Sequence, residues 1–204
     1  MASTLKGQIV APQDVFSSYG SPAGVDLGAQ ATTGDGRTFR YMKAGGTALV
    51  PGKLYQASAE DTSNFQALAA SAAAIGATQI TLTSSVTLTA NQLAGGFLVV
   101  TVTPGQGYTY QIAGNTAVSA AAGAVITLND PLIVALTTSS RLDVIKNPYD
   151  GLVVNPTTAT SAPVGVAVFA VNAGSYGWVQ THGPVALLAD EAVVVGQPVA
   201  ASAA

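Results

Sequence analysis

The sequence predicts a mainly β protein: a small β-barrel or sandwich domain, or more than one, with an extended N-terminal arm and little helix. Three observations predict it. Short runs with period-2 alternation recur along the chain, as in Gln79-Ile80-Thr81-Leu82-Thr83, where threonine takes the outer face. Turn signals separate the runs, notably Gly95-Gly96 and Pro104-Gly105-Gln106-Gly107. Charge is too sparse for i,i+4 pairing to support helices: Asp, Glu, Lys and Arg make up 8% of 204 residues, against roughly 25% in an ordinary soluble domain.

The elements follow in chain order. Residues 1–36 are dense in turn formers, with Pro12, Gly20-Ser21-Pro22, Gly24, Gly28 and Thr33-Gly34-Asp35-Gly36, so they read as an extended arm lying on a neighbour. Arg37–Tyr41, Ala48–Val50 and Lys53–Gln56 read as short strands around the Pro51-Gly52 turn. Asn64–Ala74 is Ala-rich and compatible with helix. Strands are then expected at Gln79–Thr83, Ser85–Thr89, Phe97–Thr103, Tyr108–Ile112, Ala124–Leu128 and Arg141–Ile145. After Asn147-Pro148-Tyr149-Asp150-Gly151 come Leu152–Val154, Val164–Val171, Gly177–Thr181, Val185–Leu188 and Ala192–Val195. Trp178, the sole tryptophan, is expected in the core.

Charge placement divides the chain further. No Asp, Glu, Lys or Arg occurs from Thr62 to Asn129, or from Gly151 to Ala189. Residues 47–54 and 191–198 both read as strand, Gly turn, strand, which fits two halves of one small β-domain; that hairpins of this composition simply look alike is the competing reading. The organisation expected is therefore an arm at 1–36, a β-domain formed by 37–58 with 147–204, and a β-rich domain at 59–146, uncharged from Thr62 to Asn129, inserted between its halves.

Composition removes several function classes. Seven basic residues against ten acidic ones, a net charge of −3, cannot furnish the basic face that nucleic acid requires. Zero cysteines exclude a disulfide scaffold, a thiolate zinc site and a cysteine nucleophile. The mean hydropathy of +0.42 raises the question of a membrane. However, Ala67–Ala77 falls short of the about 20 apolar residues a spanning helix needs, and Ser71 and Gly76 interrupt it. Met1–Ala11 has one lysine and no apolar signal region. A soluble chain without a membrane partner is expected.

No catalytic constellation emerges. Ala173-Gly174-Ser175-Tyr176-Gly177 has the spacing of a nucleophile elbow, but a strand follows it where a helix is needed, and His182 precedes Asp190. A β-turn explains the stretch. His182, the single histidine, reads as a turn residue. Asp190-Glu191 reads as solvated loop rather than half of a carboxylate pair. Thr33–Gly36 lacks the alternating oxygen ligands of a calcium loop. Neither a cofactor nor a metal is expected. The candidate interaction residues are Arg37, Phe39, Arg40, Tyr41 and Lys43, which gather three of the seven basic residues on one aromatic strand. Arg37, Phe39 and Tyr41 share one face, and Thr38 and Arg40 the other. Such a strand suits anchoring onto an acidic protein partner; an edge strand guarded by charge against aggregation is the competing reading.

Several stretches together resemble small structural proteins of tailed-phage virions. They are Gly34–Tyr41, Gly46–Gln56, Asp130–Ser140 leading into Asn147-Pro148-Tyr149, and Tyr176–Ala186. The resemblance implies a capsid decoration, or cement, protein: β-rich, homo-oligomeric with a trimer favoured, and bound to the major capsid protein on the outside of the head. Its localisation would be the virion exterior, after synthesis in the host cytoplasm. The five residues of the basic–aromatic strand are the expected capsid contacts. The alternative is a fibre, spike or adhesion module that binds a host-surface glycan.

Overall fold

The computed structural model describes residues 8–10, 12–156, 158, 160–189 and 192–196. In chain order the elements are β1 (Gln8–Val10), α1 (Pro12–Val15), β2 (Gln30–Thr33), β3 (Thr38–Ala44), β4 (Leu54–Gln56) and β5 (Leu68–Ala69). They continue with β6 (Gln79–Ser84), β7 (Phe97–Val102), β8 (Thr109–Asn115), β9 (Ala122–Leu128) and β10 (Arg141–Ile145). The last are β11 (Asp150–Val154), β12 (Pro163–Ala167) and β13 (Tyr176–His182). The protein is almost all β, with barrel-shaped sheets. Contacts divide it into one compact unit of Met1–Ala59 with Pro148–Ala204, and a second of Glu60–Asn147. The boundaries expected from charge placement lie one residue earlier at each end.

In the first unit the strand order is β1-β2-β3-β11-β4-β12-β13, and β13 returns to pair with β3, closing the barrel. β3 buries residues on both faces. Met42 and Ala44 join Leu49, Tyr55, Leu152, Ala167, Val171 and Val179 in one cluster. Phe39 and Tyr41 point the other way and meet Val15, Ala31 and Trp178 in a second. The second cluster explains the fate of the expected arm. Its residues 12–36 lie on this chain's own unit: β2 pairs with β3, and Tyr19 bridges to Tyr176. Gly28 allows the close approach, because a Cβ there would sit 2.9 Å from the Tyr149 ring at a φ of +88°. The part of the expected arm at 1–7 and 11 lies outside the described residues.

In the second unit the order is β5-β10-β7-β8-β9-β6, and the Ala70–Leu82 bridge joins its two ends. Alternation does the sorting: Ile80, Leu82, Ile112, Ile126 and Leu142 enter the core, while Thr83 and Thr109 face out. The buried Asn115 braces this core. Its Oδ1 accepts from the Leu93 amide at 2.8 Å, and its Nδ2 donates to the Thr89 and Thr116 carbonyls, both at 2.9 Å. A buried amide is tolerated because its bonds are made.

Five expected elements differ. Asn64–Ala74 is not helical: the Asp61 carboxylate accepts from both the backbone and side-chain amides of Asn64, and Ala67 adopts a φ of +52°. The chain then enters β5. Ser85–Thr89 keeps only the Leu88–Val118 bridge, since the Ser84 hydroxyl donates to the Val86 carbonyl and turns the chain. Ala48–Val50 likewise contributes one bridge, Leu49 to Val171. Val185–Leu188 is not a strand; the Leu188 amide donates to the Gly52 carbonyl. Residues 192–195 form no strand either, and 191, 197 and 198 of the proposed internal echo lie outside the described residues.

Candidate functional site

The five residues expected at an interface all lie on or next to β3, and the structure separates them by depth. Phe39 and Tyr41 are fully buried, at 0% exposure, so they offer no surface to a partner. Their burial follows from pairing with β13, which sets Trp178 opposite Tyr41 and Gln180 opposite Phe39, and from the covering segment 12–36. Tyr41 is the hub of an aromatic cluster. Its ring lies 5.1 Å from Trp178 edge-on, 6.1 Å from Tyr176 stacked, and 6.4 Å from Tyr19 tilted. Tyr19 and Tyr176 carry no local signal for this role, being far apart in the chain.

The three cations are half-buried and engaged within the chain. The Arg37 guanidinium donates to the Asp35 carboxylate at 2.8 Å and lies 5.6 Å from the Phe39 ring centroid. Arg40 donates to the Gly28 carbonyl at 2.8 Å, with its guanidinium 6.0 Å from the Tyr149 ring centroid. The Lys43 ammonium lies 5.7 Å from the Tyr176 ring centroid. These side chains tie β3 to its covering segment and to its neighbours in the unit. Asp35 belongs to the β2–β3 hairpin turn. The Thr33 hydroxyl, with the Arg37 amide and guanidinium, holds its carboxyl below the usual carboxylate value.

Burial pushes the Tyr41 and Tyr55 phenols up, against the hydrogen bonds they accept from the Ala23 amide (3.0 Å) and the Val50 amide (2.6 Å). Both phenols stay protonated in the fold where those of the unfolded chain ionise, near pH 10. Their contribution to stability is therefore complete below about pH 10 and is lost as pH rises through the folded values. A Tyr41→Phe, Tyr55→Phe double variant is expected to lose about 1 kcal/mol per missing hydrogen bond at pH 7, yet to decline less steeply above pH 10. Denaturant unfolding at stepped alkaline pH checks both; parallel curves for the two proteins would refute the linkage.

The other candidates resolve simply. Ser175 closes a turn in which its amide donates to the Asn172 carbonyl at 3.0 Å, and no helix follows. His182 ends β13 in an exposed position. Asp190 and Glu191 lie outside the described residues. Among the described residues, no group of three His, Asp or Glu side chains is placed to hold a metal, and no helix is long and apolar enough to cross a membrane. An open groove of about 410 Å³ lies over β12, beside Leu54, Val166, Gln180, His182 and Val185, with no Asp, Glu, Lys or Arg in its lining. Compared with protein-family descriptions, with curated proteins and with solved structures, the chain matches none.

Proposed function

We propose that this protein is a bacteriophage virion structural protein, a decoration protein that binds the outer surface of the expanded head and stabilises contacts between capsomers. One observation supports the reading above others: three of the four stretches that carry the resemblance meet in one barrel, while Asp130–Ser140 lies in the second unit. Gly34–Tyr41 supplies most of β3, Gly46–Gln56 leads into β4, and Tyr176–Ala186 supplies β13, which pairs with β3 along most of its length. These three belong to one structural unit.

The role asks for a rigid module with binding surface and no chemistry. A ligand that prefers the expanded lattice to the compact one stabilises the expanded state by its differential affinity. Because Phe39 and Tyr41 are buried and Arg37 is paired with Asp35, β3 offers little of the basic–aromatic surface, and the lattice contact is assigned elsewhere.

The test is the mass of the purified protein in solution, followed by co-sedimentation with expanded heads lacking it. A trimer, or a monomer that assembles on heads to a saturable stoichiometry, is the expected result. A stable free oligomer that leaves heads bare would overturn the reading in favour of the glycan-binding fibre or adhesion module.

A further inference from the structure

The outer face of the second unit carries a groove. On the β7–β10 pair, Phe97 stands opposite Ile145 and Val99 opposite Asp143. The segment before β5 runs beside β10: the Val144 amide donates to the Phe65 carbonyl at 2.9 Å, and the Ala67 amide to the Asp143 carboxylate at 2.8 Å. Between them lies a groove of about 290 Å³. Val99 and Ile145 form its apolar floor, Phe65 a wall, and the carboxylates of Glu60, Asp61 and Asp143 its rim. Ile145 and the adjoining Phe97 are 42% and 38% exposed.

Two of the carboxylates are fixed in place. Asp61 accepts from the Asn64 backbone amide at 3.1 Å and from its side-chain amide at 2.8 Å, and Asn64 accepts from the Ser85 hydroxyl at 2.7 Å. Asp143 is held by the Ala67 amide and, at 3.4 Å, the Thr101 hydroxyl. Three of the chain's ten acidic residues thus rim one apolar groove. Among the described residues, none of the three has a Lys or Arg nitrogen within ion-pair distance. Lys146 lies at the edge, its ammonium 4.9 Å from the Phe65 ring centroid.

A second copy of the chain has no free extended basic run to offer: three of its seven basic residues lie within 37–43 on or beside β3, which is paired with β2, β11 and β13, and no two of the others are closer than five residues apart. The complementary segment is therefore assigned to another polypeptide. We infer that this groove docks an extended, basic segment of a partner protein, with Arg or Lys stems lying on Val99 and Ile145 and the cationic heads between the rim carboxylates. The source is the capsid subunit, a part of the inference that rests on the virion reading above.

The experiment titrates an extended peptide of alternating Arg and Val, and the same peptide with Gln for Arg, against two proteins. One is the full chain; the other is its Glu60→Gln, Asp61→Asn, Asp143→Asn variant, whose amides keep the acceptor oxygens and whose folding is checked by thermal melting. The native chain is expected to bind the Arg peptide, less tightly as salt rises, and to lose about tenfold in affinity on either charge removal. Equal binding of both peptides, equal binding by both proteins, or no binding overturns the inference. Co-sedimentation separates the two readings. A variant that decorates heads as well as the native chain overturns the groove as lattice contact and leaves the virion reading standing. Native chain failing on heads overturns that reading and the source of the segment, while the peptide titration still decides what the groove accepts.

Discussion

Replacing Tyr41 by alanine is expected to lower the stability of the first unit by about 3–5 kcal/mol, the range for removing a buried aromatic ring. Tyr41 is fully buried and touches Tyr19, Tyr176 and Trp178, so its loss leaves a cavity bordered by three rings that the barrel and the covering segment hold in place. The Ala23 amide also loses its acceptor. Tyr41→Phe separates the two contributions, since it keeps the ring and removes only the hydrogen bond, at about 1 kcal/mol. Trp178 is the sole tryptophan and lies 5.1 Å from Tyr41, so its fluorescence during denaturant unfolding reads this unit directly. A loss below about 1 kcal/mol for Tyr41→Ala would show that the cluster collapses without cost and is not a core. The same packing bears on truncation. Deleting residues 1–36 removes Val15, Tyr19, Ala31 and strand β2, and uncovers Phe39, Tyr41 and Trp178. It is expected to destabilise the unit as well as to remove any reach toward a neighbour.

The β-rich class was legible because alternation is a local property. Ile80 and Leu82 face the core and Thr83 faces out for a reason visible within six residues. The covering segment was not legible, because Val15, Tyr19 and Ala31 follow no period; each fills a site created by Tyr41, Tyr176 and Trp178, which lie elsewhere in the chain. Helix propensity misled over Asn64–Ala74, where the Asp61 carboxylate competes for the backbone and Phe65 joins the edge of β10. Strand propensity misled at Val193-Val194-Val195, since β-branched residues become a strand only where a neighbouring edge accepts them. The spacing of Arg37, Arg40 and Lys43 was plain, but their partners were not. Asp35 and the Gly28 carbonyl come from the covering segment, and Tyr149 and Tyr176 from the other end of the chain. The groove carboxylates share this property: Asp143 meets the Glu60–Asp61 segment only through the alignment of Phe65 and Ala67 with β10.

In the second unit the largest effect is expected from one methyl group. A Cβ on Gly96 would lie 2.4 Å from the Ile145 carbonyl oxygen and 3.0 Å from that of Leu93, and both are backbone atoms that no rotamer change can move aside. The Gly96 carbonyl accepts from the Ile112 amide at 2.9 Å, and Phe97 opens β7 at the next position. Relieving the clash therefore means displacing β7 from both β8 and β10, the strands that flank it in the sheet. Gly96→Ala is expected to cost about 3 kcal/mol, the upper end of ordinary overpacking. Gly123→Ala in β9 is the control, because there the new methyl meets the Thr81 side-chain methyl at 3.1 Å, a group that can give way. Hydrogen exchange across β7 and β10 should rise for Gly96→Ala and stay near native for Gly123→Ala. Trp178 fluorescence should report an intact first unit in both, since the hydrophobic clusters of the two units share no residue. If exchange in β7 and β10 is unchanged by Gly96→Ala, the β7–β10 edge yields readily. The apolar floor formed by Val99 and Ile145 would then not be the rigid platform that the groove requires.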